Sequence, residues 1–223
     1  MNTTSSPPVP FIPAATLAHC YQLLAMGFAY PDEELFEIAT AGILHNELAA
    51  AVEAVSPEQG NAAHQWGNAF FLADRLTLES TYLSTFELNA PKASLSLYEG
   101  SYVSGCDRAE ILLEVKSFYQ HFGLSMSDSP REAEDHLTAE LEFMQFLTAK
   151  QAVCEAENED AGPYIRAQRD FLSRHLAAWI PRFQVATANL DSLFYQALAW
   201  FTGTIVAAHH RAVWSLSEGE RTL

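Results

Sequence analysis

Residues 129–148 read Ser-Pro-Arg-Glu-Ala-Glu-Asp-His-Leu-Thr-Ala-Glu-Leu-Glu-Phe-Met-Gln-Phe-Leu-Thr, and this stretch decides the fold class. Ser129-Pro130-Arg131-Glu132 is a helix capping box with proline at the first helical position. Beyond it Leu137, Leu141, Met144 and Leu147 or Thr148 recur at three- and four-residue steps, the period of a helix with one apolar stripe, while Glu140 and Glu142 sit off that stripe.

The same period runs outward in both directions. Leu17, Tyr21, Leu24 and Phe28 form a stripe that stops at Tyr30-Pro31, and Pro31-Asp32-Glu33-Glu34 opens a second, short helix. Ser56-Pro57-Glu58-Gln59 repeats the capping box. Asp107-Arg108-Ala109-Glu110 is a looser helix start; its helix carries Ile111, Val115, Phe118 and Phe122 on one face and ends before Gly123. One long helix is expected between Gln65 and Leu88. Asn89 to Gly105 then breaks the period for longer than a usual connection. Downstream, Cys154 to Gly162 reads as an acidic linker, Pro163 opens a helix through Trp179 that Pro181 ends or kinks, and Asn189 or Asp191 opens a last helix to about Trp214. With 10 Gly and 10 Pro among 223 residues, punctuation is sparser than the ~12% usual in proteins, and the short alternating runs of a β-protein are missing. The expectation is an all-α bundle of about eight to ten helices with one long internal loop, residues 14–223 forming a single domain behind a tail at 1–13.

Composition narrows the function classes. Lys+Arg number 12 against 28 Asp+Glu, a net charge of −16, which disfavours sequence-independent binding to nucleic acid or anionic lipid and favours a basic partner, although acidity also serves solubility. Cys20, Cys106 and Cys154 are odd in number and far apart, as expected of reduced cytosolic thiols, and form neither a disulfide framework nor a zinc pair. Residues 1–13 show no signal-peptide pattern, so no export signal is expected. Leu193 to Ala208 is shorter than the ~20 residues a bilayer needs and reads as a buried core helix.

Several chemistries lack their residues. No histidine has a glutamate three positions before it, as di-metal bundles require, and HExxH is absent. Gly100-Ser101-Tyr102-Val103-Ser104-Gly105 has the glycine spacing of a phosphate loop but is followed by Cys106-Asp107 instead of Lys-Ser/Thr. No metal, cofactor or catalytic residue is assigned. Glu134-Asp135-His136 through Glu140 stands out, because His136 and Glu140 are four apart and share a helix face. A surface ion pair is one reading. The other is an acidic helix start beside an apolar groove, suited to a partner carrying arginines followed by apolar residues.

Asp135-His136-Leu137-x-x-Glu140-Leu141-x-Phe143-Met144 closely resembles the signature of the TorD/DmsD/NarJ-like redox-enzyme maturation chaperones. Supporting pieces fall in the family's order: Leu23-Leu24 through Tyr30-Pro31-Asp32, Tyr82-x-x-x-Phe86, Leu97-Tyr98-Glu99-Gly100-Ser101-Tyr102, and Phe171-x-x-x-His175-Leu176-x-x-Trp179-x-Pro181-x-Phe183. The resemblance covers Leu17 to Trp214. Family members often carry Glu-Pro before Asp-His, where this chain has Ala133-Glu134, and prolines where it has Ser94 to Leu97.

The resemblance implies an all-helical, non-enzymatic cytoplasmic chaperone, monomeric or dimeric. It implies binding of the twin-arginine leader and apo-form of a molybdopterin oxidoreductase subunit until the cofactor is inserted. Asp135 and His136 are then the expected leader contacts, with Glu140 in support, and Tyr82, Phe86, Leu97, Tyr98 and Tyr102 complete the expected peptide-binding set; the aromatic residues also read as core or loop anchors. Two other classes stay open: an all-α enzyme or small-ligand protein using His136 and Glu140 as acid and base, and a structural adaptor.

Overall fold

Asp32, Asp74 and Asp107 each turn a carboxylate back onto a nearby amide, that of Leu35, Thr77 and Ala109, at 2.9, 2.8 and 3.1 Å. Such caps satisfy amides that the first helical turn leaves without partners. The computed structural model describes residues 12–87, 95–105, 107–125 and 133–220. Among them are ten α-helices and no β-strand: α1 (Ala14–Phe28), α2 (Glu33–Thr40), α3 (Ile43–Val55), α4 (Gly60–Gln65), α5 (Arg75–Tyr82), α6 (Arg108–His121), α7 (Leu137–Glu157), α8 (Gly162–Arg174), α9 (Leu176–Thr187) and α10 (Leu193–Glu220). The fold is all-α.

Several expected boundaries move. The helix expected from Gln65 to Leu88 is broken by a 3-10 turn, Gly67–Phe70, and restarts only at the Asp74 cap; beyond Tyr82 it widens into a π turn, Leu83–Glu87. At Ser56 the hydroxyl bonds the Glu58 carboxylate instead of capping an amide, and the chain enters α4 through a 3-10 turn, Pro57–Gln59. The supposed linker from Cys154 is helical as far as Glu157. There Asn158 takes the left-handed conformation (φ 58°), and Glu159 N–H donates to Cys154 O at 2.8 Å, a Schellman-type stop. Pro181 neither ends nor starts a helix: the break falls at His175, whose ring is held by a carboxylate, and Pro181 lies inside α9. The box at Ser129 and Cys106 lie outside the described residues, as does most of the expected tail; the helix expected from that box begins only at Leu137, residues 133–136 being non-helical. Of that tail, Ile12 is buried and the Pro13 carbonyl accepts the first amides of α1.

Buried apolar residues form one continuous cluster from Ile12 to Val213. Helix α1 lies along α7, and α10 packs against α9, α8, α1 and α3. Leu137, Leu141, Met144, Leu147 and Thr148 are all buried, so the stripe on α7 faces α1 as its period predicts. The Leu198 side chain of α10 packs onto the α1 backbone at Gly27, where a Cβ would lie 2.9 Å from the Leu198 methyls. Through this core runs a directional chain of hydrogen bonds. Tyr21 O–H donates to His209 Nδ1 (2.9 Å), His209 Nε2–H to Gln168 Oε1 (3.0 Å), Gln168 to Gln151 (2.9 Å) and Gln151 to Glu155 (2.8 Å). It ties four helices and satisfies buried polar groups that would otherwise cost about 1–3 kcal/mol each. No single helix among the described residues is long and apolar enough to cross a membrane.

Candidate functional site

The segment 95–103, inside the long loop expected from the sequence, is pinned to the start of α7. Glu99 N–H donates to Asp135 O at 2.9 Å and Leu137 N–H to Leu97 O at 2.7 Å, an isolated antiparallel bridge centred on Tyr98 and His136. Within the segment, Tyr102 O–H donates to Ser96 O at 2.8 Å, and Arg182 donates to Tyr102 O at 2.7 Å. Backbone groups that a loop would leave to water are thus used to hold it in place.

Asp135 is 0% exposed. Its carboxylate accepts Arg108 Nη2 (3.1 Å) on one oxygen, and Arg108 Nε (3.2 Å) and the Gly100 amide (3.2 Å) on the other. The guanidinium lies over the Tyr98 ring, 5.0 Å from its centroid. The Asp135 carboxylate holds the Arg108 cation above its ordinary range. His136 Nδ1 accepts the Thr138 amide at 3.3 Å and so caps α7, and its ring meets Tyr98 edge-on at 5.0 Å. Burial pushes its imidazole down to about 4, against the pull of Asp135, so it is neutral at physiological pH.

One turn further in, Glu140 is also 0% exposed. Trp179 Nε1–H donates to its Oε2 at 3.1 Å, while Oε1 has no hydrogen-bond partner among the described residues. Glu99, also buried, accepts His175 Nδ1 at 2.9 Å, and Tyr102 stacks on Trp179 at 5.4 Å. Burial first, and the nearby Glu99 second, push the Glu140 carboxyl well above its usual range and so favour its protonated form.

These placements correct two expectations. Asp135 is not an exposed carboxylate but is fully buried and already paired with Arg108. Glu140 does not lie on a solvated face beside His136: a tryptophan on α9 draws it inward, and His136 is taken by the helix cap. As an acid and base pair the two therefore lack both a shared opening and a titrating imidazole near neutral pH. Leu97 and Tyr82 have their side chains in the core. Tyr82 and Phe86 belong to a second aromatic group with Tyr195 and Phe28, joined to Tyr102 through Phe183 (Phe28 to Phe183 5.7 Å, Phe183 to Tyr102 5.9 Å).

Arg108, Glu99 and Trp179 were not among the candidate residues. His175 and Trp179 stand four apart with Phe171 on one stripe, a signal that both point inward. No spacing connects Arg108 to Asp135, 27 residues away.

Stability depends on pH from both sides, through this site and through the core histidine His209. His136 and His209, the latter lowered by burial to about 3, are neutral when folded but protonate near 6.5 when unfolded, so their contribution is full above 6.5 and is lost as pH falls. Glu140 acts oppositely: its contribution is full below 4.5 and is lost as pH rises through its raised folded value. Glu140→Gln, which mimics the protonated carboxyl, is expected to flatten the alkaline side. Urea midpoints of wild type and variant between pH 5 and 9 check this; parallel curves would disprove it.

A cleft of about 210 Å³ between α6 and α7, lined by Tyr119, Leu124, Ala139, Phe143 and Phe146 with Glu142 on it, adjoins this acidic helix start. Tyr119 joins the two, since its hydroxyl donates to Glu134 O at 3.0 Å.

An all-helical body in which buried carboxylates fasten a loop to a helix start, with an apolar cleft alongside, is the class that fold and site define. The model of the family described as "Nitrate reductase delta subunit" matches residues 46–184. The perchlorate reductase assembly chaperone protein of Dechloromonas aromatica (strain RCB) is 41% identical over 197 residues, covering 85% of this chain and 86% of the relative. The selenate reductase assembly chaperone protein of Thauera selenatis is 42% identical over 133 residues (60% of this chain and 68% of the relative). The chlorate reductase assembly chaperone protein of Ideonella dechloratans is 34% identical over 180 residues (81% of each chain). The chain belongs to this nitrate reductase delta subunit family, that of the TorD/DmsD/NarJ-like redox-enzyme maturation chaperones. Its function is that of a chaperone in redox-enzyme maturation.

Proposed function

We propose that the chain is a cytoplasmic, non-catalytic chaperone that holds the apo-form of a molybdopterin oxidoreductase subunit through the arginines and apolar run of its leader, until the cofactor is inserted. The relatives named for perchlorate, selenate and chlorate reductases support a client of the oxyanion reductase type. The observation that carries the reading is the juxtaposition at the start of α7. A guanidinium-binding carboxylate with an aromatic shelf, Asp135 with Tyr98, is linked through its neighbour Glu134, whose carbonyl accepts the Tyr119 hydroxyl, to the apolar cleft of Tyr119, Phe143 and Phe146. Carboxylates take guanidinium in bidentate fashion, and the cleft accepts apolar side chains that follow it. The chain's net charge of −16 adds long-range attraction for a basic segment.

Calorimetric titration with a synthetic peptide of two adjacent arginines followed by an apolar run tests this. Affinity is expected to fall as NaCl rises, because the arginine contacts are screened, and to level off at a residual value set by the cleft. Asp135→Asn is expected to lose about 1.5–3 kcal/mol of binding, roughly ten- to a hundred-fold, with circular dichroism confirming that it is folded at the titration temperature. Absence of binding to wild type, or equal affinity for the folded variant, would return Asp135 to a purely structural role.

A further inference from the structure

We infer that Arg108 is the resident occupant of an arginine-reading site, and that a client arginine binds by taking its place. The inference rests on the leader-binding reading above and adds what that reading leaves open: how a carboxylate already in use receives a second guanidinium.

The site has every element that recognises an arginine in preference to a lysine. Asp135 presents both oxygens to a planar fork, the Gly100 amide fixes the carboxylate from behind, and Tyr98 supplies a face on which a guanidinium stacks. The occupant, by contrast, is lightly held. Arg108 is the first residue of α6, directly after the Asp107 cap, and its side chain is 51% exposed. Asp135 and Tyr98 are the only partners the guanidinium has among the described residues. Swinging it into water uncovers no core residue of α6, whose buried positions are Ile111, Val115 and Tyr119. Asp135, at 0% exposure, has no such freedom: it needs a cation, whichever chain supplies it. Exchange of one guanidinium for another preserves the charge-assisted bonds, so the internal arginine keeps the site folded when no client is present and lowers apparent affinity by competing with the client. The stem of Arg108 crosses Gly100, where a Cβ would lie 2.8 Å from Arg108 Cγ, so the residue at position 100 also controls how well the occupant seats.

The test uses the full chain, its Arg108→Ala and Arg108→Lys variants, the two-arginine peptide above and its two-lysine counterpart. Two results are expected. Arg108→Ala binds the arginine peptide at least tenfold more tightly than wild type, with a clearly smaller gain for the lysine peptide, and Arg108→Lys falls between. Millimolar methylguanidinium chloride raises the melting temperature of Arg108→Ala, equal concentrations of KCl or tetramethylammonium chloride do not, and wild type does not respond. Unchanged or weaker peptide binding by folded Arg108→Ala together with no methylguanidinium response overturns the inference. Should Arg108→Ala not fold unaided, Arg108→Lys carries both measurements. If wild type binds the peptide but neither variant responds to methylguanidinium or gains affinity, leader binding stands and displacement of Arg108 falls. If methylguanidinium rescues Arg108→Ala while no form binds the peptide, the arginine-reading site stands and the leader reading falls.

Discussion

Arg108→Ala is expected to cost about 3 kcal/mol of stability, and Asp135→Asn clearly less, although the two substitutions remove opposite halves of one ion pair. The asymmetry follows from exposure. Without Arg108, Asp135, which is fully buried in the intact chain, loses its cation and keeps the Gly100 amide as its remaining donor, and a desolvated charge without its partner is the expensive outcome of breaking a pair. Without the Asp135 charge, the half-exposed Arg108 turns to water at little cost. Urea denaturation of both variants at pH 7 decides the order. An equal loss in the two, or a larger loss in Asp135→Asn, would show that the pair is valued for its geometry and not for the burial of one charge.

Trp179→Ala is expected to have the largest effect of any single change considered, about 3–5 kcal/mol from the cavity alone. Trp179 is fully buried, stacks on Tyr102 and packs edge-on against Phe183. It is also the donor to Glu140, whose other oxygen already lacks a partner, so its removal orphans a whole buried carboxyl group. Trp179→Phe keeps most of the volume and loses only the N–H, so the difference between the two variants separates packing from hydrogen bonding. Because Tyr102 is held partly by this ring, chymotryptic cleavage within 95–103 is expected to accelerate in Trp179→Ala. A variant that unfolds at the wild-type urea midpoint would refute this account of the core.

Periodicity made most of the helices legible. The stripe on α7, the break at Tyr30-Pro31, the Asp107 cap and the Gly123 stop all follow from local rules, and each is where those rules place it. Local rules failed where a distant residue competed for the same group. Asp135 and Glu140 are acidic and lie near a helix start, which ordinarily means solvent; here Arg108 and Trp179, brought in from α6 and α9, carry both inward. The break at His175 instead of Pro181 has the same origin, since the carboxylate that holds the imidazole belongs to a residue 76 positions earlier. The family signature drew attention to Asp135 and His136 without indicating that both are occupied in the unbound chain.

The packing of α1 against α7, and its tie to α10 through the Tyr21–His209 bond that spans 188 residues, bear on how the chain is made. Helix α1 leaves the ribosome long before either partner exists, and its apolar face, with Leu17, Leu24 and Phe28, has only α3 against part of it and lacks its main cover until α7 is complete. Joining segments so far apart is entropically slow, and synthesis at about 5–20 residues per second keeps most of that face uncovered for roughly 6–26 seconds. A chaperone of redox-enzyme maturation thus passes through an exposed state during its own synthesis, one that lasts until α10 docks onto α1.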